Sequence, residues 1–117
     1  MRYLSYLVIF LITSSCSHSN AYKDATYDDM KRNLEADIPV GTSTSDAEVR
    51  LRQRGFEATR MTDASFVCND GQVRKHLDYL YGDRYDGGVV HRRWQVALVL
   101  KEDAIVEILV STGLVGP

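Results

Sequence analysis

Residues 94–100 alternate without a break. Trp94, Val96, Leu98 and Leu100 fall on one side of an extended chain, and Arg93, Gln95, Ala97 and Val99 fall on the other. Period-two alternation commits a segment to a strand with one buried face. Lys101-Glu102-Asp103 interrupts the apolar character and residues 105–110 restore it, so the two runs predict an antiparallel hairpin. One face of such a hairpin needs cover, which the rest of the 117-residue chain must supply.

Two helical segments upstream are suited to that task. Over residues 24–36, Tyr27, Met30 and Leu34 recur at helical spacing and form an apolar stripe. Pro39 ends the segment, because proline disfavours helical geometry in the residue before it. A second helix follows Gly41, where Ser45 and Glu48 stand three residues apart as a capping box. Ala47, Leu51 and Val49 supply its buried side, Arg50, Arg52 and Arg54 extend outward, and Gly55 is the natural C-cap before Phe56.

Between these regions the period moves towards two. Residues 64–68 read as a short strand closed by the turn Asn69-Asp70-Gly71. Residues 75–81 fit a strand, although Val73, Leu77 and Leu80 also fit a helix. Residues 82–88 (GDRYDGG) read as a loop. The fold class is therefore α+β: two N-terminal helices packed in a second layer on a three- or four-stranded antiparallel sheet.

Composition is that of a globular chain, 44% hydrophobic and 26% charged, with one domain's worth of residues. The formal net charge of −2 argues against a nucleic-acid binder, which needs a concentrated basic surface.

The N-terminus carries an address. Arg2 precedes a continuous apolar stretch over residues 4–12, too short for a hydrocarbon core that needs about 20 helical residues, but suited to a secretory signal. Small residues, Ser14 and Ser15, lead into Cys16. This resembles the lipobox of bacterial lipoproteins, except that Thr13 stands where Leu, Val or Ile is preferred. The resemblance implies a diacylated Cys16 as the new N-terminus, and Ser17 after it implies outer-membrane sorting. Ordinary export with cleavage after Ser19-Asn20-Ala21 is the rival reading. The chain thus divides into a signal segment 1–15, a lipid-anchored polar tether 16–23 and a single domain 24–117.

The stretch Ile38-Pro39-Val40-Gly41-Thr42, the capped helix with Val49 and Leu51, and Gly55-Phe56 resemble the opening of the SmpA/OmlA group of small envelope lipoproteins. The resemblance implies a two-layer α-α-β-β-β unit, shared with half of the β-lactamase inhibitor protein. It departs from that pattern in the Ser/Thr pair after Gly41, in Arg-Gly-Phe at the helix end, and around residues 68–74. No partner-binding residue carries over from it.

Chemistry is sparse. Cys68 with His76 forms a thiol and a base, but a cysteine flanked by Phe66 and Val67 is an ordinary core residue unless nearby cations lower its pKa. His76, His91 and Asp78 lack the spacing of a zinc site, and Asp83 and Asp86 lack that of a calcium loop. His91-Arg92-Arg93 is the sharpest basic cluster, able to meet anionic headgroups or a partner carboxylate.

No catalytic group, metal or cofactor is assigned, and the chain is read as non-enzymatic. It is expected to sit in the envelope, anchored to the membrane through Cys16 and binding another protein through the sheet face turned away from the helices. Tyr79, Tyr81, Arg93, Gln95, Val99, Ile105, Glu107 and Leu109 are its expected members, with Val106, Ile108 and Val110 turned inward. The alternative is a secreted periplasmic module that blocks a hydrolase with the same face.

Overall fold

A computed structural model describes residues 25–115. The expected signal segment, Cys16 and the expected tether lie outside the described residues. Two helices, α1 (Tyr27–Asp37) and α2 (Thr44–Gln53), precede four strands: β1 (Glu57–Val67), β2 (Val73–Gly87), β3 (His91–Lys101) and β4 (Ala104–Val115). The class is α+β, and the strands form one antiparallel sheet in the order β1-β2-β3-β4.

Helix α1 starts where Thr26 accepts a hydrogen bond from the Asp29 amide at 3.2 Å, with Asp28 and Asp29 at the positive end of the helix dipole. Met30 and Leu34 are fully buried, as the stripe requires. Ile38, ahead of Pro39, leaves helical geometry at φ −129° and ψ 72°.

The start of α2 differs from the expected capping box. Ser43, not Ser45, is the N-cap, its hydroxyl accepting from the Asp46 amide at 3.3 Å. The reason lies in the preceding linker, which is held extended against the start of β4. Gly41 N–H donates to the Ile105 carbonyl, Ile105 N–H to Thr42, and Thr44 N–H to Asp103, at 2.8, 2.9 and 3.1 Å. The helix can begin only where that pairing ends, so Ser45 lies within α2 and Glu48 pairs instead with Arg52 at 3.7 Å. Val49 is exposed, while Ala47 and Leu51 are buried. Gly55 takes the left-handed conformation (φ 86°) that stops the helix, and Phe56 is buried beyond it.

Two of the arginines expected to extend outward from α2 instead fasten it to α1. Arg50 donates to the Asp37 carbonyl at 2.8 Å, and Arg54 Nε donates to the Asp37 carboxylate at 2.8 Å. Both cations thereby sit at the negative end of α1.

The terminal hairpin forms as expected. Glu102 and Asp103 both have positive φ (54° and 65°), the geometry of a two-residue type I′ turn, with Lys101 opposite Ala104. Trp94, Val96, Leu98 and Leu100 face the helices in one core with Met30, Leu34, Ile38, Leu51 and Phe56. Burying each large side chain of this set stabilises the fold by roughly 1.5–3 kcal/mol.

Strand β4 corrects the inward and outward assignment. Ile105 opposes Leu100 and Glu107 opposes Val99, which leaves Val106 as the extra residue of a bulge. Ile105 is 0% exposed in the core, and Val106 is exposed. The bulge flips side-chain parity, so Ile108 and Val110 still point inward.

Residues 82–87, expected as a loop, continue β2. Gly82 is buried beneath Leu51, Phe56 and Val96, with no room for a side chain. Arg84 and Asp86 both face inward and pair at 2.9 Å, while Asp83 and Tyr85 face outward. The turn itself lies after Gly87, whose φ is 111°. Strand β1 begins at Glu57, well before the expected residue 64, because its first half carries polar side chains and little periodic apolar signal.

The β1–β2 hairpin is long and kinked. Register shifts flank Ala64, and Asp63 and His76 adopt left-handed φ of 47° and 57°. Bulges bend a strand and increase its twist. Here they carry the 69–71 turn across the outer face to the free edge of β4, where Asn69 accepts from the Thr112 amide at 3.2 Å. Arg74 clasps Glu107 with two hydrogen bonds of 3.0 and 3.1 Å. A second apolar cluster forms under this fold-over: Phe66, Tyr79 and Ala97 buried, with Met61, Cys68, Leu77 and Leu109 packed against them.

Candidate binding face

The fold-over divides the outer face. At the distal half, the hairpin covers residues expected to meet a partner. Tyr79 is 3% exposed, donates to the Ser65 carbonyl at 2.7 Å and meets Phe66 edge-on at 5.9 Å. Its burial pushes the phenol pKa up. Val99 is buried, Leu109 packs into the outer cluster, and Glu107 is held by Arg74. The Arg74 hydrogen bonds keep the Glu107 carboxyl below its usual range. Ile105 belongs to the other face altogether.

Beyond the outer cluster, which Tyr81 borders, polar and aromatic side chains gather nearer the β2–β3 turn. Arg93 on β3 grips Asp83 on β2 through two hydrogen bonds of 3.0 Å, and its planar fork matches the carboxylate. Those hydrogen bonds raise the guanidinium pKa further, so this charge is permanent. The Tyr81 hydroxyl accepts from Gln95 at 2.6 Å and from Arg93 at 3.4 Å. Arg93 also stacks over the Tyr85 ring at 5.4 Å, and His91 meets that ring edge-on at 5.2 Å.

Tyr81, Arg93 and Gln95 are thus brought together as expected. Asp83, Tyr85 and His91 join them. The first two were hidden in the sequence by a loop-like composition. Once residues 82–87 are in a strand, positions 81, 83 and 85 share a face by period two alone. These side chains hold one another in place.

The other candidate chemistry is dispersed. His76 Nδ1 lies 2.8 Å from Asp63, whereas Cys68 packs in the outer cluster and forms no disulfide among the described residues. His91 sits at the opposite end of the sheet from His76, and Asp78 accepts from the Asp63 amide at 2.9 Å. Asp83 and Asp86 point to opposite faces, each towards an arginine. Among the described residues, no three His, Cys, Asp or Glu side chains gather to hold a metal ion.

A cavity of about 400 Å³ opens at the start of α1, lined by Ala25, Thr26, Tyr27, Asp86, Arg92 and Trp94. Among the described residues, Trp94 Nε1 and Asp86 Oδ2 are buried without a hydrogen-bond partner. The Arg92 guanidinium lies 5.8 Å over the Trp94 ring. No protein-family model, curated protein or solved structure matches the chain.

Proposed function

We propose that the chain is a non-enzymatic envelope protein, anchored by lipid on Cys16, whose two-layer domain binds another protein through Tyr81, Asp83, Tyr85, Arg93 and Gln95. The observation that carries this reading is the mutual bracing of that patch. Tyrosine and arginine dominate the residues whose truncation costs most at protein interfaces, and rigid ones lose little entropy on binding. Here both types are locked by neighbours, and Tyr85 is 52% exposed.

The anchor is supported by the small residues before Cys16 and by an apolar segment too short to span. Two measurements test the reading. Intact mass and membrane fractionation compare the wild type with Cys16→Ser, and a diacylglyceryl mass with release on mutation is the expected result. Photo-crosslinking in the envelope from position 95, with position 62 as control, should trap one partner only from the first site. Arg93→Ala should abolish that adduct. Equal trapping from both positions, or none, overturns the binding face.

A further inference from the structure

The end of the domain at the β2–β3 turn carries a concentration of exposed aliphatic side chains. Val89 and Val90 occupy the β2–β3 turn and are 79% and 58% exposed. The register sets Leu114 opposite Arg92 and Val115 opposite His91, bringing two more to the same corner, with Leu114 69% exposed. Apolar groups gathered this way mark a contact surface. His91, Arg92 and Arg93 border them in sequence, while the acids at this end, Asp83 and Asp86, already face arginines.

The chain enters the domain at this same end. Ala25 and Tyr27 line one cavity with Arg92 and Trp94, adjacent to the corner. Cys16 precedes Ala25 by nine residues, which span at most about 30 Å when fully extended. A lipid on Cys16 therefore keeps the start of the domain within that distance of a bilayer, and the adjoining corner near it at high effective concentration. The turn at Lys101–Ala104 closes the other end of β3 and β4.

We propose that the corner formed by Val89, Val90, Leu114 and Val115 rests on the bilayer surface, its aliphatic side chains at the headgroup boundary and His91 and Arg92 against anionic headgroups. This rests on the anchored reading and adds an orientation to it. The anchor side then faces the lipid, and the Tyr81–Arg93 patch stands beside the membrane.

The test uses the full chain with Cys68→Ser, carrying an environment-sensitive fluorophore at Val90→Cys or, at the other end of the sheet, at Val40→Cys beside the start of β4. Vesicles contain phosphatidylethanolamine and phosphatidylglycerol, with nitroxide-labelled lipid as quencher. The probe at position 90 should be quenched several-fold more than the probe at position 40. Val89→Asp with Leu114→Asp should remove the difference, and replacing phosphatidylglycerol by phosphatidylcholine should reduce it. Equal quenching at both positions on a chain whose mass carries the lipid overturns the corner and leaves the anchor standing. A blue-shifted but unquenched position 90 also overturns it, in favour of a protein contact. If the mass shows no lipid, the anchor falls. Quenching at position 90 by added vesicles then still supports the corner, and its absence overturns it.

Discussion

Asp63 and His76 face each other across the β1–β2 hairpin, both in left-handed backbone, with His76 Nδ1 2.8 Å from Asp63 Oδ1. Each is the residue at which its strand gains a position, so the two bulges together swing the distal hairpin over the sheet. Left-handed geometry costs a non-glycine residue about 1–2 kcal/mol, and a β-branched one more. Glycine at either site is expected to change stability by less than about 1 kcal/mol, relief of that cost offsetting the lost contact and a looser unfolded chain. His76→Val should instead destabilise by about 1–2 kcal/mol. Urea unfolding of the three variants measures the contrast.

The fold-over is also acid-sensitive. Hydrogen bonds from Arg74 hold the Glu107 carboxyl below its unfolded value. A depressed folded pKa means that its contribution is fully present above the ordinary glutamate range, near about pH 4.3, and lost as pH falls through the folded value. The melting temperature of the wild type should therefore drop more between neutrality and acid than that of Glu107→Gln. Parallel curves for the two proteins would show that the pair adds nothing.

Gly82 lies beneath Leu51 of α2. A methyl group there would lie 2.6 Å from a Val96 methyl, 3.0 Å from Leu51 and 3.2 Å from Phe56. Gly82→Ala should cost about 1–3 kcal/mol through forced displacement of these side chains. Adding Val96→Ala should recover part of the loss, which thermal unfolding of the double variant would read.

Thr44 is buried at the first turn of α2, and its hydroxyl has no hydrogen-bond partner among the described residues. An unsatisfied buried polar group costs about 1–3 kcal/mol, whereas an apolar group of the same shape does not. Thr44→Val should raise stability, by about 1 kcal/mol, in the same denaturation assay. A loss of stability would mean that the hydroxyl has a partner in solution.

What the sequence disclosed followed from regular spacing. Trp94 to Leu100 repeat every second residue, and Met30 and Leu34 recur every fourth, so hairpin and helix were readable before any coordinates. The failures share a cause: contacts between distant segments override local signals. Ser45 with Glu48 is the cap that spacing favours, and only the pairing of residues 41–44 with 103–105 moves the cap to Ser43. Ile105 changes face because Val106 is extruded by a bulge invisible to alternation. Tyr79 and Val99 were legible as outward-facing, which they are, but not as covered, because the kink that covers them sits at Asp63 and His76, whose left-handed backbone no local pattern announces. On the candidate face, Tyr81, Arg93 and Gln95 followed from period two, whereas Asp83 and Tyr85 were masked by glycine-rich flanks.

The extended linker that fixes the start of α2 has a kinetic consequence. Each strand of the sheet pairs with its neighbour in sequence, so the four can zip up from local hairpins with little loop closure. The pairing of Gly41 and Thr42 with Ile105 instead joins the linker between the helices to the start of the last strand. It closes a long loop and belongs late in folding, after the hairpins have condensed. Weakening it should hasten unfolding while leaving the refolding rate nearly untouched. The linker thus governs how long the native state lasts more than how quickly it is reached.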